Sequence, residues 1–111
     1  CYVLGEGMEA ARHFHEALRI AHHIGDRPIA LEILTRAAAL LAERRSATDA
    51  LFVLAFAMQQ PELLDETRRP AELRYEGLRT ALAPREVTAA EARARLANLD
   101  DVVVLILTAL S

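Results

Sequence analysis

Four histidines, His13, His15, His22 and His23, are the residues of this sequence best suited by type to hold a metal ion. Imidazole is a common zinc ligand, and two histidines on one helix share an ion most readily when they are four residues apart, as in H-E-x-x-H. No two of these histidines have that spacing. His15 and His22 would share a helix face, but seven residues place them about 10 Å apart along the axis. We therefore expect a solvated histidine face, and we predict no metal site and no cofactor.

Groups suited to nucleophilic or acid–base catalysis are scarce in this chain. The serines are Ser46 and Ser111, and the sequence has neither a glycine-rich phosphate loop nor a nucleophile elbow. Ser46 is better explained as a helix N-cap, with Asp49 three residues later in the manner of a capping box. The clustered acids stand where helices are expected to begin, and negative charge there complements the helix dipole. These acids are Glu62, Asp65, Glu66, Asp100 and Asp101. The sequence therefore predicts a protein that is not an enzyme.

The composition of the 111 residues, 53% hydrophobic and 26% charged, is typical of one soluble globular domain. The 13 basic residues are all arginines and the acidic residues number 16, so the net charge of −3 argues against nucleic acid as a partner. The apolar run Val102–Leu107 is far shorter than the roughly 20 residues that cross a bilayer. A single cysteine, Cys1, and the lack of a secretory signal pattern favour the cytoplasm. Because the chain begins at Cys1 and enters an apolar stretch at once, we expect it to be part of a longer protein.

Helical periodicity and helix-ending residues predict three helices in the first 60 residues. Apolar residues recur every three or four positions from Met8 to Ile24, and Gly25 ends this first helix. Asp26 is placed to cap a second helix that runs to about Arg44, with Pro28 in its first turn. Ser46 is placed to cap a third helix over residues 47–60, which is apolar almost all round. A helix without a polar face is expected to be buried on both sides.

Three further helices are predicted after Pro61. Asp65 or Thr67 caps a fourth helix that runs to about residue 82. Pro70 lies in or just after the first turn of this helix, where a proline is expected to kink it. Pro84 opens a fifth helix over residues 84–97. Asp100 caps the last helix, over residues 101–110. The β-branched residues in the run 102–107 would also suit a strand, but a single strand in a helical chain would leave its backbone groups unpaired. The predicted fold class is all-α.

An internal repeat links the first helix to the third. Ala10, Phe14 and Ala17 recur 40 residues later as Ala50, Leu54 and Ala57. Small, large and small residues at these intervals let a neighbouring helix approach closely while the bulky residue fills the gap. This spacing resembles the second helix of a tetratricopeptide repeat, and the segment from Leu4 to Ala11, followed by Phe14, Ala17 and Leu18, resembles the turn and second helix of that family. The resemblance implies antiparallel helix pairs stacked in a superhelix.

The second half of the chain departs from a regular repeat. Residues 61–111 resemble the irregular capping helices that end the helical repeat region of large bacterial signal-transduction ATPases and LuxR-type transcriptional activators. The resemblance therefore divides one domain into repeat helices at residues 1–60 and C-terminal capping helices at residues 61–111. It implies a non-catalytic module for protein–protein interaction or regulatory sensing inside a larger bacterial regulator, whose partner is a protein, a peptide or another domain of the same chain.

A four-residue stretch, Pro84-Arg85-Glu86-Val87, is similar to the opening of a LuxR-type DNA-binding domain. The residues that follow lack a recognition helix with polar, base-contacting side chains, and the apolar run 102–107 would not enter a groove of DNA. We therefore predict no DNA binding.

The tetratricopeptide resemblance also implies a binding surface, the concave face formed by the first helix of each repeat. On the second predicted helix this face would carry Glu32, Thr35, Arg36, Ala39 and Glu43. Members of the family that bind chaperone tails use Lys, Asn and Arg at such positions, and Glu32, Thr35 and Ala39 depart from that pattern. The groove is therefore not expected to bind those tails. The alternative is that these five side chains are only solvated.

The apolar run near the C-terminus needs a cover, because a terminal helix normally presents a polar outer face. Two explanations are open. The run docks into the core of the domain, or Val102, Val104, Leu105 and Ile106 form a self-association surface that makes a homodimer.

Overall fold

The computed structural model describes residues 4–110, with side chains from residue 9 onward. This part of the chain folds into helices joined by short turns and contains no strand. The helices are α1 (Leu4–Ile24), α2 (Arg27–Arg44), α3 (Ala47–Met58), α4 (Asp65–Ala81), α5 (Pro84–Leu96) and α6 (Leu99–Leu110). The predicted all-α class is confirmed, and the β-branched run 102–107 lies inside α6.

The turn between α1 and α2 is formed by the residues that the sequence singles out. Gly25 has a φ of +76°, a left-handed conformation that glycine adopts without steric cost. The N–H groups of Gly25 and Asp26 donate to the carbonyl oxygens of His22 (3.2 Å) and Ala21 (2.9 Å). This pair of bonds closes the last turn of α1. The carboxylate of Asp26 then accepts a hydrogen bond from the N–H of Ile29 at 3.3 Å and caps α2 as predicted.

Side chains hold both ends of α3. The hydroxyl of Ser46 accepts a hydrogen bond from the N–H of Asp49 at 3.1 Å, which confirms the predicted N-cap. At the other end, the guanidinium of Arg68 donates to the carbonyl oxygens of Met58 (2.7 Å) and Gln60 (3.2 Å). A helix end leaves its last carbonyls without intrahelical partners, and a cation placed there also complements the dipole. The helix ends at Met58, two residues before the predicted boundary.

The predicted caps of α4 and α6 are wrong. Asp65 is already the first helical residue of α4, Thr67 lies buried inside it, and the N-cap Leu64 makes no side-chain cap hydrogen bond. In α6 the N-cap function falls to Asn98, whose Oδ1 accepts from the N–H of Asp101 at 2.9 Å. Asp100 is instead a first-turn acid of α6, where its charge complements the helix dipole.

The centre of the core is α3. Its residues 50–57 are buried on every side of the helix, as its uninterrupted apolar sequence predicts. Three neighbours, α2, α4 and α5, cover it. The bulkiest fully buried side chain of the core, Phe56, belongs to this helix.

Helices that are two apart in the sequence also pack against each other, α2 against α4 and α3 against α5. The hairpin α2–α3 therefore lies beside α4 and α5, which pack on α3 and not closely on each other. The last helix, α6, returns to the beginning of the chain and packs on α1 and α2. An open solenoid has contacts between neighbouring repeats only. The radius of gyration of 13.1 Å equals that of a closed globular domain of this length, about 13 Å.

The face of α6 that docks on α1 and α2 carries its buried side chains, Leu99, Val102, Val103, Ile106 and Leu110. Val104 lies on the other side of the helix and is 59% exposed. The apolar run is therefore divided between core and surface.

Candidate functional site

A cleft of about 550 Å³ opens between α1, α2 and α4. We refer to it as the α1–α2–α4 cleft. It is lined by Phe14, Glu32, Thr35, Arg36, Glu66, Thr67, Pro70 and Arg74. Its volume falls within the roughly 300–1,000 Å³ of pockets that bind small ligands or side chains of a partner.

The helical period places the lining residues of α2 on one face. Glu32 and Arg36 are one turn apart, and Thr35 lies beside Arg36. On α4 the lining residues include Thr67 and Arg74, which are about two turns apart. Once α2 and α4 lie side by side, the spacing of residues along each helix therefore determines which positions face the cleft.

Two hydrogen bonds join α2 to α4 at the cleft. The hydroxyl of Thr67 donates to Glu32 Oε1 at 3.4 Å, and Arg74 Nη1 donates to the carbonyl oxygen of Thr35 at 3.5 Å. The hydroxyl of Thr35 donates to the carbonyl oxygen of Glu32 within α2 at 2.8 Å. The polar side chains of the cleft therefore hold its two walls in register.

Both signs of charge line the cleft in equal number. Glu32 Oε2 and Arg36 Nε form an ion pair at 3.7 Å, in which the Arg36 side chain remains 62% exposed. Glu66 and Arg74 lie on the opposite wall, and the apolar surfaces of Phe14 and Pro70 complete the lining. An exposed ion pair of this kind contributes little to stability, so its guanidinium and carboxylate are available to a partner at small cost. The arrangement suits a ligand that carries polar and apolar groups in alternation.

The structure brings together three of the five residues predicted for a concave surface. Glu32, Thr35 and Arg36 line the α1–α2–α4 cleft, although Thr35 is buried and forms part of its floor. Ala39 and Glu43 are exposed further along α2 and are not among the residues that line the cleft.

Sequence reasoning missed the other wall of the cleft. Phe14 was assigned to the core of the first helix, and Glu66 and Thr67 to the beginning of the fourth. The available signal was the spacing of Glu66, Pro70 and Arg74 at four-residue intervals, which places them on one face of α4. That signal becomes informative only when α4 is known to pack beside α2.

The residues considered for self-association fall into two groups in the structure. Val102 and Ile106 are fully buried against the rest of the chain, so their side chains are not available to a second molecule. Val104 is exposed and Leu105 is half-buried. The outer side of α6 therefore presents a smaller apolar surface than the sequence suggests.

The histidines are separated along α1. His13 and His23 are exposed, His15 is half-buried, and His22 Nε2 lies 2.7 Å from Asp100 Oδ1 on α6. Among residues 9–110 no three or more His, Cys, Asp or Glu side chains are grouped so that they could hold a metal ion. The described helices include none with the length and hydropathy needed to cross a membrane.

Comparisons of the chain with protein-family models, curated proteins and solved structures return no match.

Proposed function

We propose that this chain is a non-catalytic helical module of the tetratricopeptide type that binds a polypeptide segment in the α1–α2–α4 cleft. The segment belongs to another protein or to another domain of the parent chain. In this proposal the module is part of a larger cytoplasmic regulator and acts by contact, either recruiting a partner or restraining a switch domain.

The observation that carries the proposal is the pairing of α2 and α4 along the cleft. In a helical repeat, the first helices of successive hairpins lie side by side and form the concave binding face. Here α2 and α4 lie side by side, and they are joined by the Glu32–Thr67 and Thr35–Arg74 hydrogen bonds. Seven of the eight lining residues of the cleft come from α2 and α4, and Phe14 comes from α1.

The chemistry of the cleft favours an extended peptide over a highly charged partner. Its two acids and two arginines sum to no net charge, and Phe14 and Pro70 offer apolar contacts. An extended backbone presents alternating N–H and C=O groups. Carboxylates accept hydrogen bonds from the N–H groups, and guanidinium groups donate hydrogen bonds to the C=O groups. A strongly acidic segment would be repelled by the carboxylate of Glu66, and a strongly basic segment would be repelled by the guanidinium of Arg74.

A peptide selection tests the proposal. Short random peptides displayed on phage and selected on the wild-type chain supply the probe, and affinities are then measured by calorimetry. The double substitution Glu32→Gln with Arg36→Gln should weaken binding about tenfold or more, which corresponds to about 1.4 kcal/mol. Its melting temperature should stay near that of the wild type, because Gln at position 32 keeps an acceptor for Thr67.

A matched control removes an ion pair away from the cleft. Glu16 and Arg19 form an exposed pair on α1 at 2.6 Å, and the double substitution Glu16→Gln with Arg19→Gln should leave peptide affinity unchanged. Failure to enrich any peptide, or equal losses in both double variants, would contradict the proposal.

A further inference from the structure

A second cleft, of about 350 Å³, lies between α3, α4 and α5 and shares no lining residue with the first. We refer to it as the α3–α4–α5 cleft. It is lined by Ala55, Met58, Gln59, Tyr75, Glu91 and Arg95. Its volume is at the lower end of the range for small-molecule pockets, roughly 300–1,000 Å³.

Tyr75 is the most deeply buried polar side chain of this cleft. The side chain as a whole is only 9% exposed, but its hydroxyl is open to solvent and makes no hydrogen bond to any of the described residues. A tyrosine combines an apolar ring with a hydroxyl that can donate and accept, so a hydroxyl open to a cleft can hydrogen-bond to a ligand there. Since Tyr75 lines the cleft, the cleft is the side from which a hydrogen-bonding partner can reach it.

Glu91 and Arg95 bring opposite charges to the same cleft without neutralising each other. They are one turn apart on α5, with the acid first, which is the favourable order for an ion pair along a helix. Glu32 and Arg36 have the same spacing and do form a pair, at 3.7 Å. By contrast, neither Glu91 nor Arg95 forms an ion pair or a side-chain hydrogen bond within the part of the chain that the structure describes. Both charges are therefore available to a ligand.

The rest of the lining is suited to an aliphatic or aromatic group. Ala55 is buried and Met58 is half-buried, and the flexible thioether of methionine adapts to the shape of an apolar ligand. A ligand that matches all of these groups has a cation, an anion and an apolar group close together.

We infer that the α3–α4–α5 cleft binds a small zwitterion with an apolar side chain, of the class of free α-amino acids. The ammonium group pairs with the Glu91 carboxylate, and the carboxylate accepts from the Arg95 guanidinium and the Tyr75 hydroxyl. The side chain packs on Ala55 and Met58. One helical turn separates Glu91 from Arg95 by about 5–6 Å at Cβ, which suits a ligand whose two charged groups are attached to the same carbon. A peptide carries its terminal ammonium and carboxylate at opposite ends and does not meet that condition.

An NMR titration of the 111-residue chain tests the inference with defined probes. L-Leucine, L-methionine and L-phenylalanine are added separately, followed by 4-methylpentanoate, which is leucine without its amino group, and 3-methylbutylamine, which lacks the carboxylate. We expect at least one of the amino acids to give saturable shifts of the amide resonances of Tyr75, Glu91 and Arg95. The two analogues should bind about tenfold more weakly than leucine or not at all. Absence of saturation below about 10 mM for all three amino acids would overturn the inference, as would equal binding of either analogue.

Single substitutions identify the groups that bind. Glu91→Gln and Arg95→Gln should each weaken binding about tenfold, and Tyr75→Phe, which keeps the buried ring, should weaken it about threefold or more. The matched controls are Glu72→Gln on α4 and Arg85→Gln on α5, both exposed and outside the cleft. They should leave affinity unchanged. Affinity that survives both Glu91→Gln and Arg95→Gln would overturn the inference, and melting temperatures of the variants show whether a loss of affinity comes from unfolding.

Discussion

Replacing a buried residue of α6 with aspartate should destabilise the chain far more than the same replacement at an exposed position. Ile106 is fully buried against α1 and α2, whereas Val104 on the same helix is 59% exposed. Truncating a buried isoleucine to alanine costs about 2–5 kcal/mol, and an unpaired buried carboxylate adds about 1–3 kcal/mol or more. A chain of this length has a total free energy of unfolding of about 5–15 kcal/mol. We therefore expect Ile106→Asp to lose most or all of the folded state.

Val104, the exposed position, provides the comparison for Ile106. Val104→Asp removes little buried surface, and valine and aspartate have similar helix propensities, so its free energy of unfolding should stay within about 1 kcal/mol of the wild type. Ile106→Ala provides an intermediate case that remains folded, with a melting temperature lower by about 10 °C. The assay is thermal and urea unfolding followed by far-UV circular dichroism. A wild-type melting curve for Ile106→Asp, or unfolding of Val104→Asp, would refute the docking of α6 on α1 and α2.

The same variants distinguish docking from self-association. Because Val102 and Ile106 are covered within one chain, light scattering after size exclusion should give the monomer mass of 12.3 kDa across a hundredfold range of concentration. A wild-type dimer that Val104→Asp dissociates without loss of helicity would instead support a homodimer formed through the outer side of α6.

Three further predictions concern backbone, cap and charge. Gly77→Ala should stabilise the chain by about 0.5–1 kcal/mol, since a Cβ added at this helical position meets no atom within 4 Å. Gly25→Ala should destabilise the chain, because the backbone φ at Gly25 is +76°. Arg68→Gln should cost about 1–3 kcal/mol by removing two hydrogen bonds to the end of α3, as urea unfolding would show. The Arg19 guanidinium donates a hydrogen bond to the Glu16 carboxylate and lowers the pKa of that carboxyl below its ordinary value. The stabilisation of the folded chain by this pair is therefore present above the unfolded-state pKa of Glu16 and is lost as pH falls through its folded-state pKa. Arg19→Gln should raise the Glu16 pKa in an NMR titration of its side-chain carboxyl.

Local signals in the sequence account for most helix boundaries. Gly25, Asp26 and Ser46 act through bonds to residues three to five positions away, so their roles are readable without knowledge of the fold. The sequence analysis predicts Asp100 as the cap of α6, but Asn98 is an equally good capping residue by chemistry and takes this role in the structure. Only the position of the first helical turn decides between them.

Long-range packing explains what the sequence did not predict. Glu32 and Thr67 are 35 residues apart, and their contact exists because α2 and α4 lie side by side. Without knowledge of that contact, the sequence indicates only a cap at Thr67 and an acid near the helix start at Glu66. The run 102–107 has no polar residue to mark its outer face, so which of its side chains are buried depends on where α6 meets α1 and α2.

The most direct test of the account maps a bound peptide on the chain. A peptide selected on the wild-type protein is titrated into the ¹⁵N-labelled chain, and the amide shifts are followed residue by residue. We expect the largest changes at Glu32, Arg36, Thr67 and Arg74, on the two walls of the α1–α2–α4 cleft. Largest changes on α5 or on the outer side of α6 would contradict the claim that this cleft is the binding surface.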